Sequence, residues 1–225
     1  MKTSPQQKLA AEVNAGGFVF LQSYLPKKST RDIIAKFGTI EKLAGLDEIQ
    51  ELTPKNASDS PPNIYSGIFG CDKFPFHTDL AHWYLPPRFF VLRCIEGASE
   101  VKTHLLDSVK IIQSVGSENL RGTLVQPGRP IEGNRCLLRI LDQNSRDGSL
   151  FRWDSLFIIP STNHSLQMCL AIKETIANTK PRDIVLERPG DTLIVDNWRM
   201  LHGRSAVPAG QRHRKINRVY VSSLL

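Results

Sequence analysis

Short apolar runs rich in β-branched and aromatic residues, cut off by Gly, Pro, Asn and Asp, recur along this chain and set the tightest limit on its fold. They occupy Phe18–Leu21 and residues 48–52, 89–95, 103–106, 136–141, 150–153, 184–186, 191–195 and 216–221. Each has the length of a strand. Residues 136–141 and 150–153 read as a strand pair around the turn Asn144-Ser145-Arg146-Asp147-Gly148. Helical patterns are fewer. One covers residues 6–13 and stops at Asn14-Ala15-Gly16-Gly17. A second is capped by Ser29 or Thr30, faces the core with Ile33, Ile34 and Phe37, and ends at Gly38. A third starts at Asp107 or Ser108 and runs to Val115, and a fourth spans residues 163–178 with Leu166, Leu170 and Ile176 among its apolar positions. There is no βαβ alternation. The pattern predicts a mainly β protein with flanking helices, a double-sheet jelly roll of the double-stranded β-helix, cupin-like kind.

The 225 residues suit a single domain of the larger kind. No apolar run approaches the roughly 18 residues of a transmembrane helix, so no membrane partner is expected. The charged N-terminus is followed by no apolar stretch of the secretory type. Cys71, Cys94, Cys136 and Cys169 form no C-x-x-C pair and read as free thiols, which predicts a cytoplasmic protein. A net charge of +7 fits either a solubilising surface or attraction of anions. Positive residues are dispersed except at Arg212-His213-Arg214-Lys215, and no basic motif is interleaved with aromatics. A nucleic-acid partner is therefore disfavoured relative to a small-molecule substrate. Residues 54–62, rich in Pro, Ser, Asn and Asp, read as an exposed loop placed to serve as a lid.

The segment Phe74-Pro75-Phe76-His77-Thr78-Asp79 carries an imidazole and a carboxylate two residues apart. On extended backbone that spacing turns both to one face. A third candidate donor, His202, follows 202 − 77 = 125 residues later. Two histidines and one carboxylate on one face of a metal leave the opposite face open, as in the facial triad of non-haem Fe(II) oxygenases. Arg214 lies 214 − 202 = 12 residues beyond His202, where a guanidinium can clamp a carboxylate. Arg218, evenly spaced from Arg214, shares its strand face. Arg212 reads as a surface residue, and His104, His164 and His213 as surface or structural histidines. His82, Trp83 and Tyr84 follow the triplet and are candidate pocket residues, with packing as the alternative role.

His77-Thr78-Asp79, the block Asp196-Asn197-Trp198-Arg199-Met200-Leu201-His202-Gly203-Arg204 and the arginines after it resemble the TauD/TfdA-like Fe(II)/2-oxoglutarate-dependent dioxygenases. Clavaminate synthase-like and γ-butyrobetaine hydroxylase-like enzymes are relatives of that group. The resemblance covers about residues 63–221. It implies that His77, Asp79 and His202 ligate Fe(II), that Thr103 and Arg214 hold 2-oxoglutarate, and that Arg218 takes the anionic group of the primary substrate. Glu100-Val101-Lys102 stands before Thr103 where the family usually has Gly-Gly-Asp or similar. Asp79 disfavours a halogenase-type iron site, which lacks this carboxylate. The implied reaction uses O2 and 2-oxoglutarate to hydroxylate or desaturate an unactivated C–H bond, releasing succinate and CO2. The implied substrate is small and carries a carboxylate or sulfonate, as an amino-acid derivative does. The rivals are a metal- and 2-oxoglutarate-binding sensor without turnover, an oxygenase acting on nucleic acid or protein, and a hydrolytic zinc enzyme, for which no general base is evident.

Overall fold

The computed structural model describes residues 4–131, 133–145 and 148–225; Arg146 and Asp147 of the expected turn lie outside them. The chain opens with α1 (Pro5–Gly16), capped reciprocally by the Ser4 hydroxyl on the Gln7 amide and the Gln7 side chain on the Ser4 amide. Gly17 closes α1 at φ +79°, and a side chain there would collide with Met200. Next come β1 (Phe18–Leu21), α2 (Thr30–Phe37), β2 (Gly38–Ile40) and β3 (Gln50–Leu52). After a 3-10 turn follow α3 (Tyr65–Phe69), β4 (Phe74–His77), β5 (Phe89–Glu96) and β6 (Lys102–Asp107). The middle of the chain forms α4 (Ser108–Val115), α5 (Ser117–Gly122), β7 (Leu124–Pro127), β8 (Leu138–Arg139), β9 (Leu141–Ser145) and β10 (Gly148–Phe151). It ends with β11 (Ile158–Pro160), α6 (Asn163–Asn178), β12 (Arg182–Val185), β13 (Thr192–Asp196), β14 (Met200–Arg204) and β15 (Lys215–Leu224).

Two antiparallel sheets dominate. The larger has the order β1-β13-β5-β15-β2, with β3 also paired to β15; the smaller has the order β12-β6-β14-β4. Their facing sides share one core, in which Phe90, Leu92, Leu193, Val195 and Ile216 meet Leu105, Ile184 and Met200. The outer side of the larger sheet is covered by α1 and α2, through Val13, Ile33, Ile34 and Phe37 against Val19, Val91, Ile194 and Val219. The outer side of the smaller sheet is covered by α4 to α6 and the β7–β11 segment, where Ile111, Leu120, Ile172 and Trp153 meet Leu106 and Leu201. The protein is thus mainly β with helices outside, and every strand of the smaller sheet has one face toward the larger.

The expected strands at Phe18–Leu21 and 48–52 are present as β1 and β3; with β2 they pair with β13 and β15, so the first sixty residues build part of the larger sheet. The buried side of α6 is Ser165, Cys169 and Ile172, whereas Leu166 and Leu170 are nearly half exposed. Small residues let α6 sit close to the sheet. Residues 136–141 do not form one strand paired with 150–153; β8 pairs with β7 and β9 with β10.

Candidate metal centre

Strands β4 and β14 lie side by side with His77 directly opposite His202, and His202 is also opposite Leu105 of β6. Leu105 faces the inter-sheet core, so both imidazoles point between the sheets. Beyond β4 the chain turns away, and its path is fixed by side chains. The Thr78 amide donates to the Trp153 carbonyl at 2.8 Å, and the Trp153 amide donates back to the Thr78 hydroxyl. Asn197 accepts from the Asp79 amide at 2.7 Å and donates to the Asp79 carbonyl at 3.0 Å and to that of Pro87. Leu80 is held at φ +55°, a strained value for a side chain of this size. The grip of Asn197 fixes Asp79 where a regular strand would not.

One donor atom from each of His77, Asp79 and His202 lies within 4.8 Å of the other two. Nε2 of His77 is 3.6 Å and Nε2 of His202 3.5 Å from Oδ1 of Asp79. All three residues are buried. Nδ1 of His77 is 2.9 Å from the Pro75 carbonyl, which sets the proton there and leaves Nε2 as a lone-pair donor. Tyr65 stacks on the His77 ring at 4.2 Å, and Phe90 packs against the His202 ring at 4.7 Å. Burial, then the neighbouring His77, push the His202 pKa down to about 4, against the pull of Asp79. Burial opposes a proton on His77, but the hydrogen bond and charge of Asp79 leave its pKa raised. Burial would raise the Asp79 carboxyl; Arg218 and His202 override it and hold it well below the ordinary value. Two imidazoles and an ionised carboxylate converging from one side suit Fe(II).

Behind the donors, the inward face of β15 carries Arg218 and Tyr220, with Arg214 one residue before the strand. Arg218 donates from Nη1 to both Asp79 oxygens at 3.1 and 3.0 Å, and from Nε and Nη2 to the Gln50 side chain. The Tyr220 hydroxyl donates to Asp79 Oδ2 at 3.0 Å. All three Arg218 nitrogens are therefore engaged, and the guanidinium expected to meet a substrate anion instead braces the carboxylate ligand. Arg214 is different. It is 6% exposed, its Nε is orphaned, and its side chain has no partner among the described residues. Burial, then the charge of Arg204, push its pKa down to about 10. Thr103 is buried on β6, on the same face as Leu105, and opposite Arg204; its hydroxyl makes no hydrogen bond among the described residues.

The remaining expected contacts divide. Trp83 is half-buried beside the site, its carbonyl accepting from Arg152 at 2.6 Å. Tyr84 is 78% exposed, because the same guanidinium holds its carbonyl and its ring turns to solvent; it is withdrawn as a pocket residue. His213 donates from Nε2 to the Gly97 carbonyl, away from the metal donors, and His104 pairs with Asp183 on the surface. Two residues escaped the sequence reading altogether. Tyr65 sits just after the 54–62 loop, and Asp154 is 2% exposed beside Trp153. Neither belongs to a motif; Asp154 is placed by the long-range pairing of Thr78 with Trp153, and Tyr65 by its ring contacts with Phe74, His77 and Phe157. A groove of about 590 Å³ along α4 and α6, lined by Lys110, Ser114 and Glu174, lies on the far side of the smaller sheet from the donors.

Comparison with known proteins agrees with this geometry. Residues 186–220 match the profile of the family described as taurine catabolism dioxygenase TauD, TfdA family, a stretch that holds His202, Arg214 and Arg218. No curated protein sequence matches the chain significantly. Among solved structures, PvcB from Pseudomonas aeruginosa is similar with a TM-score of 0.71 at 17% identity, over 96% of this chain and 80% of that one. An asparagine oxygenase solved with Fe(II), 2S,3S-3-hydroxyasparagine and succinate gives a TM-score of 0.67 at 16% identity, covering 96% and 78%. The non-haem iron oxygenase OrfP, solved with Fe and α-ketoglutaric acid, gives 0.66 at 17% identity, covering 97% and 80%. The fold is therefore the one these oxygenases share.

Proposed function

We propose that this protein is an Fe(II)/2-oxoglutarate-dependent dioxygenase that hydroxylates a C–H bond of a small amino-acid substrate. The observation that carries the reading is the convergence of His77, Asp79 and His202, buried and one-sided, in front of a buried guanidinium with no partner. Two facing antiparallel sheets support a double-stranded β-helix, and four free thiols support a cytoplasmic protein. The structural relatives named above, solved with hydroxyasparagine or α-ketoglutaric acid, favour an amino-acid substrate and a 2-oxo diacid.

His77, Asp79 and His202 would hold Fe(II), which when bound supplies the redox chemistry toward O2. The rest of the work falls to the chain. Arg218 and Tyr220 keep the Asp79 carboxylate ionised and aimed, since both donate to it. The Pro75 carbonyl keeps the proton of His77 on Nδ1. Arg214 binds the distal carboxylate of 2-oxoglutarate, a pairing that satisfies its buried charge, and Thr103 offers a hydroxyl on the facing sheet. Tyr65, stacked on the His77 ring, and Phe90, tilted against that of His202, exclude water from them. The balance is R–H + 2-oxoglutarate + O2 → R–OH + succinate + CO2. The test is O2-dependent succinate release from the Fe(II)-loaded protein across the standard amino acids. Succinate formation stimulated by one of them is expected. Its absence with every candidate, together with tight 2-oxoglutarate binding, would favour a sensor.

A further inference from the structure

Arg218 is engaged by Asp79 and Gln50, whereas a buried carboxylate, Asp154, lies close to Tyr65 and His82 on the His77 side of the centre. Asp154 is 2% exposed. Oδ1 accepts from the amides of Leu156 and Phe157 at 2.8 and 3.1 Å, a local turn that fixes the side chain; Oδ2 accepts no hydrogen bond among the described residues. Two further buried polar atoms in the same neighbourhood lack partners, the Tyr65 hydroxyl and Nδ1 of His82. The rings of Tyr65 and His82 both contact Phe157, at 5.5 and 6.0 Å. Tyr65 in turn lies on His77. The Tyr65 hydroxyl approaches the Asp154 carboxylate, whose charge and hydrogen bonding add to burial in raising its pKa, although the contact is too loose for standard hydrogen-bond geometry. His82 and His77 also feel the Asp154 charge. A buried carboxylate, a hydroxyl only loosely paired with it and an imidazole nitrogen without a partner among the described residues, gathered beside one metal-site histidine, make a polar cluster that the protein satisfies only in part by itself. Such groups are costly unless a ligand completes them.

We infer that Asp154, with Tyr65 and His82, forms a subsite for a cationic nitrogen of the primary substrate, an α-ammonium or a side-chain ammonium or guanidinium. The inference rests on the oxygenase reading and adds the charge of the group recognised there. A cation at Oδ2 finds its counter-charge in Asp154, and the Tyr65 hydroxyl and His82 Nδ1 supply uncharged acceptors around it. Ammonium and guanidinium donors fit this set, whereas a carboxylate or sulfonate would meet Asp154 with like charge.

The test is anaerobic calorimetry on the Fe(II)- and 2-oxoglutarate-loaded protein. The probes are the standard L-amino acids, their Nα-acetyl derivatives and, for arginine and lysine, the neutral isosteres citrulline and norleucine. The best ligand is expected to carry a cationic nitrogen, and neutralising that nitrogen should weaken it by at least about tenfold. The acetylated and isosteric probes tell which nitrogen is bound. Asp154→Asn retains the Oδ1 acceptor of the turn and removes the charge. It should weaken the cationic ligand by a similar factor and leave the neutralised ligand within about threefold, with Fe(II) and 2-oxoglutarate binding intact as proof of folding. Equal affinity of Asp154→Asn and the unmodified protein for that ligand, or a best ligand without a cationic nitrogen, overturns the inference while the oxygenase reading stands. Failure of the unmodified protein to bind Fe(II) and 2-oxoglutarate overturns the oxygenase reading itself.

Discussion

Arg214 and Arg218 stand four residues apart on one inward face, and the fold treats them in opposite ways. Arg218 has all its nitrogens engaged by Asp79 and Gln50; Arg214 has an orphaned Nε and no side-chain or carbonyl partner among the described residues. Burial alone does not explain an unpaired guanidinium here. Arg93 and Arg152, both 1% exposed, are ringed by acceptors: Arg93 by the carbonyls of Tyr24, Leu25, Lys28 and Gly190, Arg152 by those of Ala81, Trp83, Tyr84 and Arg139. The chain can satisfy a buried arginine when the arginine is structural. One left without partners behind a set of metal donors is a charge held ready for a ligand, at a cost to the unliganded fold.

The difference between the two arginines can be broken most severely at Asp79. Asp79→Ala removes a metal donor and strips Arg218 of its carboxylate. Fe(II) affinity should fall more than about 100-fold, and the apo protein should lose about 3 kcal/mol, because a buried charge is left uncompensated. Metal titration and denaturant midpoints check the two parts separately. Arg214→Met should act in the reverse sense on stability. The apo protein should gain about 1 kcal/mol, while 2-oxoglutarate binding weakens by about 30-fold or more through loss of a charge-assisted pair. Calorimetry on both proteins measures each. Arg218→Met should leave 2-oxoglutarate within about threefold but weaken Fe(II) by about 10- to 100-fold, as expected for a group that orients a ligand. Equal damage to diacid binding from both arginine variants would erase the distinction. Smallest is Tyr220→Phe, which deletes one hydrogen bond to Asp79 and should cost about 1 kcal/mol, several-fold in Fe(II) affinity.

Much of this was legible in the sequence because it depends on local spacing. The strands at 89–95, 191–195 and 216–221 announce themselves by continuous apolar runs, and His77-x-Asp79 by a two-residue repeat. Arg214 could be placed by its distance from His202. What failed was set by partners far away in the chain. Met200-Leu201-His202-Gly203-Arg204 does not read as a strand, yet both neighbours in the smaller sheet make it one. The position of Arg218 was legible, but its engagement with Gln50 depends on β3, an edge strand nearly 170 residues earlier. Tyr65 and Asp154 carry no motif; Asp154 is brought in by the pairing of Thr78 with Trp153, and Tyr65 by ring contacts with Phe74, His77 and Phe157.

The most direct measurement is anomalous X-ray diffraction from crystals grown anaerobically with Fe(II) and 2-oxoglutarate. The account predicts a single iron peak shared by Nε2 of His77, Nε2 of His202 and a carboxylate oxygen of Asp79, with the far carboxylate of the diacid on Arg214. Iron bound elsewhere, or a diacid that leaves Arg214 without a partner, would contradict it.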